Sequence, residues 1–219
     1  IVAAWPPEDA AVVGRVDLAG YPYSTFLRGD TLAVFQYVYD NRYYGYGGGA
    51  ETPVRDGYGT RVTLIDVSDR TAPTVLRDID MEGWLANARL IEGDAYLVMN
   101  NWFDVPQSLY ELAWNESLGL PDYDYDASEA EQAADRAQAR RILRAKVEAA
   151  VATMDLDDIL PYWYSGQDGA WDAGERVIDC TDLYHPDGVA QPGLLTVVHL
   201  DLDSPETTTP AGTGLYANG

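Results

Sequence analysis

The feature that most restricts the fold is an internal repeat. VGRVDLAGYPYSTFLRGDTLAVFQYV, Val13 to Val38, aligns with LRDIDMEGWLANARLIEGDAYLVMNN, Leu76 to Asn101. Val16-Asp17-Leu18 falls over Ile79-Asp80-Met81, Gly20-Tyr21 over Gly83-Trp84, and Gly29-Asp30 over Gly93-Asp94 after a shift of one residue. Each copy reads as strand, Gly-aromatic break, strand, Gly-Asp turn, strand. Gly-Asp between apolar runs signals a tight turn, because Gly takes positive φ without a Cβ clash. A second correspondence closes the unit. RVTLIDVSD, Arg61 to Asp69, matches LLTVVHLDLDS, Leu194 to Ser204, and each run ends in Asp and Ser before a proline, Pro73 or Pro205. The turn from Asp66 to Pro73 is too short for a helical crossover, so its flanking strands are expected to pair antiparallel.

Each unit therefore holds four strands: a hairpin around Gly-Asp, the VTLIDV-type run, and the strand after the proline. A lone four-stranded sheet leaves an apolar face on each side, and stacking sibling sheets around an axis buries both. That accounts for runs more continuously apolar than strict alternation would give. Repeated four-stranded units are the signature of a β-propeller. The expected fold is all-β: an incomplete β-propeller, with about three blades in this chain, carrying a helical insertion. A β-sandwich of hairpins gives similar strand patterns, but the matched order of four strand types favours the propeller. Residues 1–219 are expected to form part of that single domain. Because rings use about four to eight blades, the remainder of the propeller or other subunits are expected to complete it. The initial Ile1 and the terminal GLYANG, which reads as a strand cut short, suggest a fragment or a processed chain.

Two segments interrupt the repeat. Asp40 to Gly59, rich in Gly and Tyr, is expected to connect the second and third strands of a blade. Its Gly47-Gly48-Gly49 lacks the Lys-Ser/Thr and helix of a phosphate-binding loop. Tyr43, Tyr44 and Tyr46 are the candidate binding residues, since tyrosine gives contact area at low entropic cost; packing on a blade edge is the plainer reading. The second insertion, 102–176, contains one helix, expected from Ser128 to about Met154. Ser128 and Glu131 fit a capping box. Leu143, Val147, Val151 and Met154 form an apolar stripe at helical spacing, with Arg140, Arg141 and Arg144 outside it.

Charge narrows the partners. With 36 acidic against 14 basic residues, the net charge is −22, which disfavours nucleic acid and anionic lipid. Such a surface suits Ca²⁺ or a salty medium, although a GC-rich genome also yields many Asp and few Lys. No apolar run reaches the roughly 18 residues of a membrane-spanning helix, so membrane insertion is not expected. The lone Cys180 permits no disulfide within the chain, and with His185 and His199 it cannot build a zinc finger. Its readings are pairing with a cysteine in another part of the protein and, more plainly, a buried free thiol. No catalytic constellation stands out and no nucleophile elbow is present; His199 reads as a satisfied strand histidine.

Acidic loops supply the candidate metal ligands. Asp122, Asp124 and Asp126 alternate as in an EF-hand, but Ala127 stands where glycine is needed and Ala133 where the closing Glu belongs. Asp168, Asp172 and Glu175 lie in a Gly-rich stretch without a complete pattern. No cofactor is expected beyond Ca²⁺ at these loops. Asn115-Glu116-Ser117 is a glycosylation sequon.

TRVTLIDVSDRTAPTVLRDIDMEGWLANARLIEGDAYLVMN, together with MDLDDILPYWY, VIDCTDLYHP and GLLTVVHLDLD, resembles the secreted beta-propeller domain proteins of bacteria and archaea. The resemblance runs from about Val12 to Gly219, leaving Asp40–Gly59 and Asn115–Met154 unmatched. It implies export, often as a lipoprotein or cell-surface protein, and supplies no catalytic motif. The expected function is a non-enzymatic extracytoplasmic scaffold that binds a protein or glycan partner. The rivals are a metal-dependent hydrolase or lyase with acidic loops at the channel mouth, and a subunit of a cell-surface assembly.

Overall fold

The computed structural model describes residues 1–39, 58–101, 118–122, 124–154, 159–167, 170–184, 187 and 193–216. Two compact units are present: Ile1–Phe103 with Leu160–Gly219, and Asp104–Ile159.

In the first unit, β1 (Val2–Ala3) and β2 (Ala11–Val12) form a small antiparallel pair. A meander follows: β3 (Tyr21–Arg28), β4 (Thr31–Tyr39), β5 (Tyr58–Asp66) and β6 (Thr74–Glu82), each antiparallel to the next. The second meander is β7 (Trp84–Ile91) and β8 (Asp94–Asn101), then, after a long connection, β13 (Leu194–Asp201) and β14 (Ala211–Tyr216). These are two blades in the strand order the repeat predicts. The connection from β8 to β13 spans 102–193, past Arg176, and carries β9 (Tyr162–Gln167), β10 (Ala170–Trp171), β11 (Glu175–Arg176) and β12 (Leu183–Tyr184). The surplus strands join the two blades as added edges: β9 pairs with β6, β10 and β11 pair with β9, and β12 runs parallel to β14.

The repeat holds at the level of single bonds. β3 and β7 each start right after the Gly of the Gly-aromatic pair, and each carries a bulge at the same point, between Pro22 and Ser24 and between Leu85 and Asn87. The first hairpin turns on Gly29-Asp30 and the second on Glu92-Gly93, both two-residue turns, which explains the one-residue shift in the alignment. The backbone N–H of Val67 donates to the Asp30 carbonyl at 2.8 Å, and that of Leu202 to the Gly93 carbonyl at 3.0 Å. The turns after β5 and β13 are capped alike: Asp66 Oδ1 accepts from Ser68 N–H and Asp201 Oδ1 from Asp203 N–H, both at 2.8 Å. Asx-type capping is why Asp ends both strands.

One face of the first blade carries Phe35, Val62, Leu64, Ile79 and Met81, all fully buried. From that same face Thr60 donates to the Gly83 carbonyl and Arg77 to the Thr208 carbonyl, so this is the face toward the second blade. The facing side of the second blade buries Leu97, Met99, Val198 and Leu200. Burial of this kind contributes about 25 cal/mol per Å² of apolar area. Arg28 and Asp203 join the hairpin ends of the two blades through a bidentate pair at 2.8 and 3.0 Å.

Two expectations need correction. Val16-Asp17-Leu18 is no strand; Val16 and Leu18 instead pack without ladder pairing against Val34, Ile65 and Val67. Its counterpart Ile79–Met81 lies between β5 and β9, and no such neighbours flank Val16–Leu18 among the described residues. Cys180 is exposed, not buried, because it sits in a 3₁₀ turn, Cys180–Asp182, rather than on a core strand.

The second unit contains α1 (Glu129–Val151), and its capping box is complete. Ser128 N–H donates to Glu131 Oε2 at 2.9 Å and Glu131 N–H to Ser128 Oγ at 3.4 Å. No residue of α1 is buried, and Val147 and Val151 of the predicted stripe are exposed. The Ser128 side chain and backbone hold the Glu131 carboxyl below its ordinary value. The charged form is therefore the one the fold favours, so its contribution is present at neutral pH and fades as pH falls through the lowered folded value. Helix content followed by circular dichroism should drop on acidification in the native chain. Glu131→Gln should flatten that response, and a curve unchanged by the substitution would remove the capping role.

Candidate functional site

The opposite face of the first blade departs from the repeat. Where the second blade has Met99, Thr196 and Val198, the equivalent positions of the first are Gln36, Arg61 and Thr63, all buried. Strand register builds the arrangement. β4, β5 and β6 bring Gln36 opposite Arg61, Arg61 opposite Asp80, and Thr63 opposite Asp78. Arg61 forks onto Asp80 at 2.6 and 2.9 Å, with side chains 5% and 0% exposed. Gln36 Nε2 donates to Thr63 Oγ1 at 2.5 Å, Thr63 Oγ1 donates to Asp78 Oδ1 at 2.5 Å, and Gln36 Oε1 accepts from Gly20 N–H at 3.0 Å. A buried network of this sort is tolerable only when satisfied, and among the described residues no buried side-chain polar atom lacks a partner.

The added edge strands complete the enclosure. Trp171 of β10 lies across Gly166 of β9, where a Cβ would come within 2.6 Å of the indole. The same ring stands 4.9 Å from the Arg61 guanidinium, a cation–π contact.

Beside Arg61 a cleft of about 240 Å³ opens, lined also by Gly20, Tyr21, Tyr37, Val38 and Tyr39. It lies at the end of the blades from which both insertions leave. Tyr39 pairs with Tyr58 across the first gap and Asn101 with Leu194 across the second, while Gly83 joins β6 to β7 at that same end. Two second-to-third-strand connections thus leave at the same end, and the tyrosine-lined recess lies beside the first of them.

The remaining candidates are scattered. Tyr43, Tyr44, Tyr46, Asp168, His185 and Asn115 lie outside the described residues. Asp122, Asp124 and Asp126 belong to the helical unit, where Asp126 N–H donates to Asp124 Oδ1 at 2.9 Å. Asp172 and Glu175 are exposed in the first unit, close enough to Arg77 to act on its charge. Partial burial pulls the Arg77 guanidinium down from its ordinary value, and those two carboxylates oppose the shift. Among the described residues, no three His, Cys, Asp or Glu side chains converge as metal ligands would. His199 contacts Asp94 at 2.7 Å on the outer face of the second blade, the satisfied strand histidine the sequence indicates.

Sequence reading passed over the Arg61–Asp80 network. The signal was available: R-x-T in one strand and D-x-D in the next put complementary groups on matching faces once the strands pair. No helix among the described residues is long and apolar enough to cross a membrane. A family model described as "Beta propeller domain" matches residues 1–218. Comparison with curated proteins and with solved structures gave no match.

Proposed function

The chain belongs to the beta propeller domain family, and from that premise we propose that it is a non-enzymatic extracytoplasmic scaffold binding a protein or glycan partner. The observation that carries this is the cleft of Tyr21, Tyr37, Tyr39 and Arg61 beside the exit of the first insertion, at the end of the blades from which the second also leaves. Binding residues belong on loops held by a rigid frame, and the buried pair Arg61–Asp80 fixes the floor of that frame. Tyrosine suits sugar rings and peptide alike, because it combines an apolar ring with a hydroxyl. The net charge of −22 repels nucleic acid phosphates. Extracytoplasmic placement is supported by the resemblance of the repeat to exported relatives.

The test is capture of partners from cell-surface extract, run beside a glycan array. Replacing Tyr43, Tyr44 and Tyr46 by Ala, alone and with Tyr21→Ala and Tyr39→Ala, should abolish capture and leave the melting temperature in place. Capture that survives all five substitutions would count against this site. A second reading, a subunit of a surface assembly, is supported by the exposed Val147 and Val151 of α1. It calls for light scattering on a Val147→Asp, Val151→Asp variant, which should be smaller than the native particle.

A further inference from the structure

At the other end of the blades, the start of β6, the end of β9 and the loop after β13 enclose an open cleft of about 1040 Å³. Its lining includes Thr74, Arg77, Ser165, Gln167, Asp172 and Thr207. The proposed partner site does not touch it: no residue is common to the two clefts.

Arg77 is fixed in place. Its Nε donates to Ser165 Oγ at 2.7 Å and its Nη1 to the Thr208 carbonyl at 2.6 Å, and the buried Trp163 ring lies 5.6 Å away. Among the described residues Nη2 has no hydrogen-bond partner. Asp172 is anchored through its backbone, whose N–H donates to the Ser165 carbonyl at 2.8 Å, and its carboxylate is exposed. The cleft therefore offers one unbonded guanidinium nitrogen, the carboxylates of Asp172 and Glu206, a side-chain amide and several hydroxyls, donors and acceptors together.

That mixture selects a ligand class. An anion would meet Arg77, but also the carboxylates of Asp172 and Glu175 acting on it and a chain charged −22. A cation would meet Arg77. An apolar ligand would find a lining dominated by hydroxyls, amide and charge. A sugar hydroxyl donates and accepts at once, and vicinal hydroxyls match the paired oxygens of a carboxylate. The volume lies at the upper end of ordinary ligand sites, about 300–1,000 Å³, which accommodates more than one sugar ring. We propose that this cleft between the blades, built on Arg77, Asp172 and Gln167, is a binding site for a neutral oligosaccharide.

The experiment is an array of neutral glucose-, mannose-, galactose- and N-acetylglucosamine-based oligosaccharides, followed by titration calorimetry with the strongest hit. Asp172→Ala and Gln167→Ala change exposed side chains that make no hydrogen bond among the described residues, so both should fold as the native chain does. Each should weaken binding about tenfold, the scale of one hydrogen bond to a charged or amide group. Tyr21→Ala with Tyr39→Ala should leave this binding unchanged. The proposal is overturned if no neutral oligosaccharide binds at millimolar concentration, if polygalacturonate binds more tightly than neutral sugars, or if Asp172→Ala and Gln167→Ala bind like the native chain. Binding lost only in the tyrosine variants would overturn this site and leave the partner-binding reading standing.

Discussion

Asp80→Ala is expected to lower the unfolding free energy by about 3–5 kcal/mol, the cost of breaking a buried ion pair by removing one partner. Arg61 would remain enclosed beneath Trp171, with its side chain 5% exposed and its bidentate acceptor gone. The size of the effect comes from desolvation rather than from the strength of the pair. Replacing both partners should therefore cost much less: Arg61→Met with Asp80→Leu is expected to recover most of the loss. Urea denaturation of the two single variants and the double variant closes the cycle. A loss under 1 kcal/mol for Asp80→Ala would show that burial does not set the worth of this pair.

Gly83→Ala is the second large effect. Gly83 is the single residue between β6 and β7, with φ of +91°. A Cβ there would stand 2.6 Å from the Asn100 carbonyl oxygen and 2.6 Å from Asn101 Nδ2, and Asn101 Nδ2 already donates to the Glu82 carbonyl at 2.7 Å. Backbone strain and overpacking add, so the variant should lose about 2–5 kcal/mol. Gly29→Ala is the internal control. Gly29 also has positive φ, +56°, but nothing lies within 4 Å of its would-be Cβ, and strain alone should cost about 1 kcal/mol. Equal melting temperatures for the two variants would mean that the joint between the blades yields, and that close approach is not what fixes Gly83.

Much of the first unit was legible because its information is local. Apolar runs mark the strands, Gly29 and Gly93 mark the hairpin turns, and Asp66 and Asp201 mark the strand ends; all recur in both copies. The capping box at Ser128 and Glu131 was equally readable, since both partners sit within one helical turn. The candidate sites were less so. Tyr43, Tyr44 and Tyr46 carry no period and lie outside the described residues. The acidic groups at Asp122–Asp126 and at Asp172 and Glu175, two separate candidates, belong to different units.

By itself the sequence determined the four-stranded unit, its turns and its repetition, because each depends on residues a few positions apart or on copies of the same pattern. Only the tertiary structure decided that β9 adds to β6 while β12 adds to β14, that Val16–Leu18 packs without pairing, that Cys180 faces solvent, and that Arg61 and Asp80 share a buried face. Those outcomes depend on which sheet edge has unpaired backbone groups and which face a distant segment covers. Side-chain periodicity along one strand is the same whether its edge stays open or receives a strand from nearly a hundred residues away, so the pattern could not record the choice.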